Sequence, residues 1–330
     1  MSVFAEIAGW GKYLPSQVLS NFDLEKMVDT SDEWIRTRSG ISERRLVADG
    51  EATSHMAARA AQEALERAGI GPSDLDLIIL ATATPDYPSM PSTASLVQHM
   101  LGAKGCGAFD LSAACSGFVY GLVTGTQFIQ SGACRNVLVI GAESFSRVLD
   151  WTDRSTCVLF GDAAGAVVVR ATDRPGGLLS YVLGSDGSGA ESLCIPSGGT
   201  RSPASHETVE QRQHYLKMNG REVFKFASRI LPRAFHQAVV KAGVRPEDVD
   251  LLIPHQANIR IIQSAQENLH VADDVVYVNV DRYGNTSAAS IPVALCEAID
   301  EGRLRPGALL GMVAFGAGLT WASALWRWQG

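Results

Sequence analysis

The chain has 330 residues, of which 46% are hydrophobic and 19% are charged, and its formal net charge is −7 at pH 7. This composition is typical of a globular protein with a sizeable core, made of two ordinary domains or one large unit. The acidic balance argues against general nucleic-acid binding, so a phosphate-bearing ligand must meet local basic residues.

The first segment, MSVFAEIAGWGKYLP, has neither the basic leader nor the long apolar core of a signal peptide. No apolar run approaches the ~20 residues that cross a bilayer. The cysteines show no C-x-x-C spacing, and they are Cys106, Cys115, Cys134, Cys157, Cys194 and Cys296. We therefore expect reduced thiols in a cytoplasmic protein without a metal site or a membrane segment.

Two pairs of segments repeat along the chain. AGIGPSDLDLIIL at 68–80 returns as AGVRPEDVDLLIP at 242–254, and both predict a helix end, a glycine stop, a proline-containing turn and a buried strand. Residues 115–132 and 285–302 have equal length, end at glycine and lie between apolar runs. The spacing of the two pairs is nearly equal, which favours a duplication.

The duplication divides the chain into an N-terminal half, residues 1–172, and a C-terminal half, residues 173–330. Each half is expected to supply a mostly parallel sheet covered by helices on both faces. The polar stretch 184–214 is rich in Gly, Ser and Thr and is predicted to form long loops over the second half.

The stretch LSAACSGF leads into the first repeated helix. Its apolar face is predicted from helical spacing of Phe118, Val119, Leu122, Val123, Phe128 and Ile129. Glycines at every fourth position permit another backbone to approach, and they are Gly117, Gly121 and Gly125. Cys115 lies at the helix N-terminus, where free N–H groups and the helix dipole favour a thiolate.

Cys115 by itself is more often a packed thiol than a nucleophile. The repeat changes that interpretation, because the N-terminus of the second helix carries Asn285 and the repeated strand leads into His255. Ligands in α/β sheets gather at the carboxyl ends of strands. We therefore expect Cys115, His255 and Asn285 to meet in one cleft between the halves.

These three side chains suit carbon–carbon bond formation from thioesters. Cys115 would accept an acyl group, and His255 Nε2 and the Asn285 amide would donate hydrogen bonds to the enolate left by decarboxylation of a second thioester. The backbone N–H groups of Cys115 and Ala317 would bind the oxyanion of the acyl-cysteine. A papain-type hydrolase also uses Cys, His and Asn, but its signature around the cysteine is absent.

Four motifs resemble those of the β-ketoacyl-acyl carrier protein synthase III family, and they are FDLSAACSGF, PHQANIRI, DRYGNTSAASIP and FGAGLTWASAL. TSDEWIRTRSGISERR and GDAAGAVVV extend the likeness over nearly the whole chain. The resemblance implies an α/β protein with the thiolase-like five-layered αβαβα fold, a homodimer and no cofactor. It also implies the initiation of type II fatty-acid synthesis. A short acyl-CoA, with acetyl-CoA favoured, condenses with malonyl-acyl carrier protein to give 3-oxoacyl-carrier, CoA and CO₂.

The resemblance also assigns residues to the coenzyme A site. Trp34 would stack on the adenine with Arg154 on its other face, a suitable pairing because indole and guanidinium planes both stack on a purine. Arg38 would lie near the phosphates, and Asn258 would line the pantetheine channel.

Carrier contacts implied by the resemblance are Lys225 and the segment Gln256, Ala257, Asn258, Ile259 and Arg260. Glu267 and Asn268 stand where relatives have paired lysines, which weakens or rearranges docking of an acidic carrier. Met90 stands where some relatives place a phenylalanine that crosses the dimer interface and limits the acyl pocket. Ala317 and Leu319, in GAGLTW, also fall near that pocket. These differences define no starter chain.

Three alternatives stay open. Loss of the lysine pair is compatible with a secondary-metabolism condensing or acyl-transfer enzyme of the same fold that uses other acyl thioesters. A degradative thiolase needs a second cysteine, and Cys296 is expected to be remote and buried. A non-catalytic acyl-CoA or carrier-binding protein would not need the full set of three polar residues. A dehydrogenase is unsupported, because no G-x-G-x-x-G follows the first strand.

Overall fold

A computed structural model describes residues 3–269 and 271–330. The strands are β1 (Phe4–Tyr13), β2 (Gln17–Ser20), β3 (Glu43–Leu46), β4 (Leu77–Ala81), β5 (Gly107–Leu111), β6 (Asn136–Ser144), β7 (Asp162–Thr172), β8 (Gly177–Ser185), β9 (Leu193–Cys194), β10 (Lys217–Met218), β11 (Leu251–Pro254), β12 (Leu309–Gly316) and β13 (Thr320–Arg327). The helices are α1 (Asn21–Leu24), α2 (Asp32–Ser39), α3 (Thr53–Ala68), α4 (Thr93–Leu101), α5 (Gly117–Gln130), α6 (Arg154–Cys157), α7 (His206–Glu210), α8 (Gly220–Ala242), α9 (Ile259–Leu269), α10 (Val280–Tyr283) and α11 (Ser290–Asp300).

Two mixed sheets form the framework. The larger has the order β1-β7-β6-β4-β5 and the smaller the order β11-β12-β13-β8. β4 runs parallel to β5 and β6, and β11 runs parallel to β12, but the other pairings in both sheets are antiparallel. The prediction of mostly parallel sheets is therefore wrong. β7 and β13 each return beside the preceding strand without the crossover helix that a parallel pairing requires.

The helices and sheets stack in five layers. α3 and α4 cover the outer face of the larger sheet, and α8 and α9 cover the outer face of the smaller one. α5 and α11 lie between the sheets, in a core shared by both. Alternation along β4 explains the layering, because Ile78 and Leu80 face α3 whereas Ile79 faces the central helices. The αβαβα fold is confirmed.

The first repeated pair has the predicted local structure. α3 stops at Gly69 with φ 66°, and α8 stops at Gly243 with φ 70°. Each is followed by a 3₁₀ turn that begins with proline, at 72–74 and 246–248, and then by a buried strand. Glycine at these helix ends supplies the left-handed conformation that lets the chain turn toward the sheet.

The second pair is shifted relative to the predicted alignment. Ala114 (φ 46°) and Ser287 (φ 49°) occupy corresponding left-handed positions, each in a 3₁₀ turn directly before a central helix. The residue equivalent to Cys115 is therefore Ala288. The prediction that Asn285 occupies the equivalent position is wrong. The equal lengths of the sequence segments conceal the shift because α5 has 14 residues and α11 has 11.

α5 packs tightly against the larger sheet. Its predicted apolar residues are buried except Phe128, which is 38% exposed. A Cβ at Gly121 would lie 3.1 Å from a Val139 methyl group, so this glycine allows the helix to approach β6. The stretch 184–214 consists mostly of loops but also contains β9 and α7. No helix among the described residues is long and apolar enough to cross a membrane.

Candidate active site

Cys115 lies in the turn between β5 and α5, where two cavities meet. Its side chain is 6% exposed and lines both a cavity of about 400 Å³ and a second one of about 220 Å³. Burial raises the pKa of the thiol to about 12, although a hydrogen bond with the Ser287 hydroxyl lowers it. The expectation that the helix N-terminus makes this thiol acidic is therefore wrong, because desolvation outweighs it.

His255 follows β11 and is completely buried. Its Nδ1 lies 2.7 Å from Ser290 Oγ, which also accepts a hydrogen bond from the Gln256 backbone N–H at 3.3 Å. The Ser290 hydroxyl has no other acceptor among the described residues, so it donates to Nδ1 and the ring carries its own proton on Nε2. Burial lowers the pKa of His255 to about 3, so the imidazole is neutral and Nε2–H is a donor.

Asn285 is oriented by the backbone around it. Its own N–H donates to the Leu159 carbonyl at 2.8 Å, and its Oδ1 accepts from the Ser287 N–H at 2.8 Å. The oxygen of the carboxamide is thereby fixed, which leaves the NH₂ group as a donor.

The larger cavity brings together Cys115, His255 and Asn285. Phe315 completes this part of the wall, with its ring edge-on to His255 at a centroid separation of 5.4 Å. His255 Nε2 is buried and has no hydrogen-bond partner among the described residues. The cavity therefore contains a thiol and two oriented neutral N–H donors.

The end of β12 passes close to the nucleophile turn. A Cβ at Gly316 would lie 2.6 Å from the Cys115 backbone nitrogen, so glycine is required for this approach. The next residue, Ala317, lines the smaller cavity beside Cys115. This places the two backbone segments that the sequence suggested for an oxyanion hole next to each other.

The smaller cavity is lined by residues that the sequence analysis did not select. They are mostly apolar: Ala83, Phe145, Phe160, Leu193, Cys194, Ile195 and Leu216. Met90 is 79% exposed, and Leu319 packs against Gly189, so neither lines this cavity within one chain. The apolar run LCIP inside an otherwise polar stretch is the sequence signal that could have identified this wall.

The larger cavity opens beside Trp34, which is 37% exposed. The guanidinium carbons of Arg154 and Arg38 lie 5.4 Å and 6.0 Å from the indole centroid. Asn258 donates from Nδ2 to the Arg38 carbonyl at 3.0 Å. The four residues predicted for coenzyme A thus form one cluster at the mouth. Trp34, Arg38 and Asn258 line the cavity itself.

The predicted carrier segment divides between interior and surface. Gln256 is 1% exposed, and its side chain bonds to the Pro254 carbonyl, the Tyr277 carbonyl and the Asn279 N–H. Ala257 is 6% exposed and lines the cavity. Gln256 therefore lies in the interior and Ala257 faces the cavity, so their predicted carrier contacts stay a prediction.

Ile259 is half-buried, whereas Arg260 and Lys225 are exposed. Arg260 lines the cavity mouth beside Asn258, whose Oδ1 accepts the Arg260 N–H at 2.8 Å. Glu267 and Asn268 are exposed farther along α9. The basic residues available to a carrier near the mouth therefore include Arg260 and Lys225.

Cys296 lies in the middle of α11 and is 1% exposed. It lines neither cavity that contains Cys115, and burial raises the pKa of its thiol. The described residues hold no cluster of His, Cys, Asp and Glu that could bind a metal ion.

This five-layered fold is the fold of the thiolase-like condensing enzymes. Models of the 3-oxoacyl-[acyl-carrier-protein (ACP)] synthase III family and its C-terminal part match residues 109–187 and 239–328. The chain belongs to the β-ketoacyl-[acyl-carrier-protein] synthase III family.

Relatives of this family match over nearly the full length. The β-ketoacyl-[acyl-carrier-protein] synthase III of Symbiobacterium thermophilum is 57% identical, covering 98% of this chain and 97% of its own. That of Caldanaerobacter subterraneus subsp. tengcongensis is 54% identical, covering 99% and 98%. The crystal structure of 3-oxoacyl-[acyl-carrier-protein] synthase III from Aquifex aeolicus VF5 matches with a TM-score of 0.91 and 52% identity, covering 98% of this chain and 100% of that one.

Proposed function

We propose that this acyltransferase initiates type II fatty-acid synthesis by condensing a short acyl-CoA, acetyl-CoA in particular, with malonyl-acyl carrier protein. The products are a 3-oxoacyl-carrier, CoA and CO₂. Membership of the synthase family over the whole chain supports the reaction. The observation that carries it is the single cavity lined by Cys115, His255 and Asn285.

In the first half-reaction Cys115 attacks the acyl-CoA carbonyl, and CoA leaves from the larger cavity. The acyl chain then occupies the smaller, mostly apolar cavity on the other side of the sulfur. Backbone N–H groups of Cys115 and Ala317 stabilise the tetrahedral oxyanion. The acyl group remains on the enzyme as a thioester while CoA is replaced by the second substrate.

In the second half-reaction malonyl-carrier loses CO₂, and negative charge develops on its thioester oxygen. His255 Nε2–H and the Asn285 NH₂ group donate hydrogen bonds to that oxygen. A neutral imidazole suits this role, because it stabilises the enolate without protonating the carbanion. The carbanion attacks the acyl-Cys115 carbonyl, the cysteine thiolate leaves, and the new carbon–carbon bond remains on the carrier.

At the mouth we propose that Trp34, Arg154, Arg38 and Asn258 bind coenzyme A and that Lys225, Ile259 and Arg260 meet the carrier. The short distances from the two guanidinium carbons to the indole centroid support the first assignment. Reaction by acyl transfer through a cysteine needs no cofactor. A homodimer is supported by family resemblance and by the exposed Met90, which would reach a partner's acyl pocket.

We further propose a cytoplasmic location, which suits the six free thiols and the malonyl-carrier substrate. Residues 1–172 and 173–330 are proposed to be two copies of one ancestral unit, the first carrying the nucleophile and the second the two donors. Matching helix ends at Gly69 and Gly243 support the duplication.

The function is tested by supplying acetyl-CoA and malonyl-carrier separately and together. We expect acetyl-CoA to add one acetyl group to the protein, and malonyl-carrier to convert that species into acetoacetyl-carrier. Replacing malonyl-carrier with malonyl-CoA should slow the second step. Equal or faster condensation with malonyl-CoA would instead favour a condensing enzyme of secondary metabolism that uses free thioesters.

A further inference from the structure

Glu143, at the end of β6, is a completely buried carboxyl that the proposed reaction does not use. Its oxygens accept hydrogen bonds from three hydroxyls and two backbone N–H groups, contributed by Thr82, Ala83, Thr84, Ser287 and Ala288. No Lys, Arg or His within the described residues forms an ion pair with it. A buried carboxylate without a cation is costly to maintain, so its retention beside the nucleophile needs an explanation.

Ser287 connects this carboxyl to the nucleophile. Its Oγ lies 3.0 Å from Glu143 Oε1, and its hydroxyl lies beside the Cys115 thiol, whose pKa it lowers. Ser287 adopts φ 49°, a conformation that a serine rarely takes and that holds the hydroxyl in this turn. Ser287 and Cys115 line the same small cavity. The geometry is therefore a thiol, a hydroxyl and a carboxyl in series.

A hydroxyl has one proton to donate, so Ser287 cannot donate to both neighbours at once. When Glu143 is ionised, Ser287 donates to the carboxylate and accepts from the Cys115 thiol. When Glu143 is protonated, it donates to Ser287, which in turn donates to a Cys115 thiolate. These two arrangements contain the same number of protons and differ by a shift of each proton along the series.

We propose that Ser287 and Glu143 relay the Cys115 proton during acyl transfer, an inference that rests on the proposed function. The Sγ proton passes to Ser287 Oγ as the serine proton passes to Glu143. The bond between Sγ and the acyl carbon forms, and the bond from that carbon to the CoA sulfur breaks. The proton then returns through Ser287 to the departing CoA thiolate. Ser287 is a catalytic residue, and Glu143 acts through it as a positioning residue.

The relay avoids a charge problem created by burial. Release of the thiol proton to water would leave two anions, Cys115 and Glu143, close together in a site with little solvent. Transfer within the series keeps the net charge of the site unchanged. Cys115 is the titratable group that faces Glu143, and the packed segments 82–84 and 287–288 present hydroxyls and backbone N–H groups. Burial also raises the pKa of Glu143 to about 7, which allows it to hold a proton near neutral pH.

The substitution Glu143→Gln distinguishes a proton relay from a fixed buried anion, because the two predict opposite changes in the acylation rate of Cys115. A fixed anion raises the thiol pKa, so its removal should accelerate acylation of Cys115. A relay loses its proton acceptor, so acylation should slow by about a hundredfold, within the range of general-base effects. The measurement is rapid-quench mass spectrometry of the enzyme mixed with acetyl-CoA. An unchanged or faster rate overturns the proposal.

The pH profile and the serine provide independent readouts. Acylation of the natural protein should fall as pH drops through about 7, because Glu143 becomes protonated, and Glu143→Gln should lose this acidic limb. Ser287→Ala should slow acylation and lose the same acidic limb, because it removes the hydroxyl between the thiol and the carboxyl. Ser287→Ala decides the question if thermal unfolding shows that Glu143→Gln does not fold, and an unchanged acylation rate in Ser287→Ala refutes the relay.

Asp162→Asn is the matched control, because Asp162 is another completely buried carboxyl, bonded to the Val47 N–H at 2.8 Å and outside both cavities. Its acylation rate and pH profile should follow those of the natural protein. An equal loss in Asp162→Asn would assign the effect to removal of a buried carboxylate in general. Absence of any acyl adduct on the natural protein would instead defeat the proposed function.

Discussion

The turns before α5 and α11 have the same backbone and different chemistry. Ala114 and Ser287 take nearly the same left-handed φ, and the central helices start at the third residue after each. In the first turn the next residue is Cys115, and in the second it is Ala288. One copy of the turn therefore exposes a sulfur to the cavities, whereas the other aligns backbone and hydroxyl groups around it.

This difference explains how two similar halves make one asymmetric site. The N-terminal half supplies the nucleophile. The C-terminal half supplies His255 and Asn285. The His255 ring bonds to Ser290, the first residue of α11, and the Asn285 carboxamide oxygen accepts from the Ser287 N–H in the turn before it. The comparison therefore predicts that substitutions in the first turn affect acyl transfer, whereas those at His255, Asn285 and Ser290 affect decarboxylation. Ser287 is the exception in the second turn, because its side chain lies beside Cys115 and its loss should slow acyl transfer.

The largest expected effect follows removal of the sulfur from the first turn. Cys115→Ala should abolish the acyl adduct with acetyl-CoA, because no other described thiol lies in both cavities. Intact-mass analysis measures the adduct. Cys194→Ser is the control, since Cys194 lines the smaller cavity but not the larger, and it should retain the adduct. An adduct that survives Cys115→Ala and maps to Cys106 or Cys157 would refute the assignment.

Substitutions on the donor side should separate the half-reactions. His255→Ala and Asn285→Ala should each acylate normally yet lose about 10²–10³-fold in malonyl-carrier decarboxylation, the usual loss for one oxyanion donor. Release of CO₂ is measured after the acyl-enzyme has formed. Normal decarboxylation in both variants would remove their proposed role.

The neutral imidazole makes a prediction about pH. Because burial lowers the pKa of His255 to about 3, its neutral donor form is present above that value and persists from pH 5 to 8. Decarboxylation by the pre-formed acyl-enzyme should therefore show no inflection from this group in that window. An inflection near pH 6.5 that disappears in His255→Ala would show that the imidazole becomes charged.

Ser290→Ala should have a smaller effect of the same kind. Without the hydroxyl, Nδ1 loses its donor at 2.7 Å and the ring can carry its proton on the wrong nitrogen. Decarboxylation should fall by about tenfold, equivalent to one modest hydrogen bond, whereas acylation should remain unchanged. Ser290→Thr should recover part of the rate, and equal slowing of both half-reactions would indicate general misfolding of α11 instead.

The smallest effects are expected at the mouth, far from either turn. Trp34→Ala should raise KM for acetyl-CoA by about tenfold through lost stacking, with little change in kcat. A short acetyl thioester that lacks the nucleotide should not distinguish the variant from the natural protein. Arg260→Ala should weaken only the carrier-dependent step, by a few-fold and mainly at low salt, because rim charges affect association rates.

The sequence by itself determined the local units of this protein and the identity of the reactive side chains. The helix stops at Gly69 and Gly243 follow from glycine's access to left-handed φ, and the buried strands after them follow from unbroken apolar runs. Both signals are local in the chain. The motifs around Cys115, His255 and Asn285 likewise gave the family, because they are short and continuous.

Tertiary structure decided what depends on distance and solvent. It raised the pKa of Cys115 where the helix position alone predicted a lower one, because burial by both halves desolvates the sulfur. It placed Gln256 in the interior although its neighbour Arg260 is exposed. It also brought Glu143 against Ser287, residues 144 positions apart in the chain. Such contacts arise from the stacking of two sheets, which no short segment of sequence specifies.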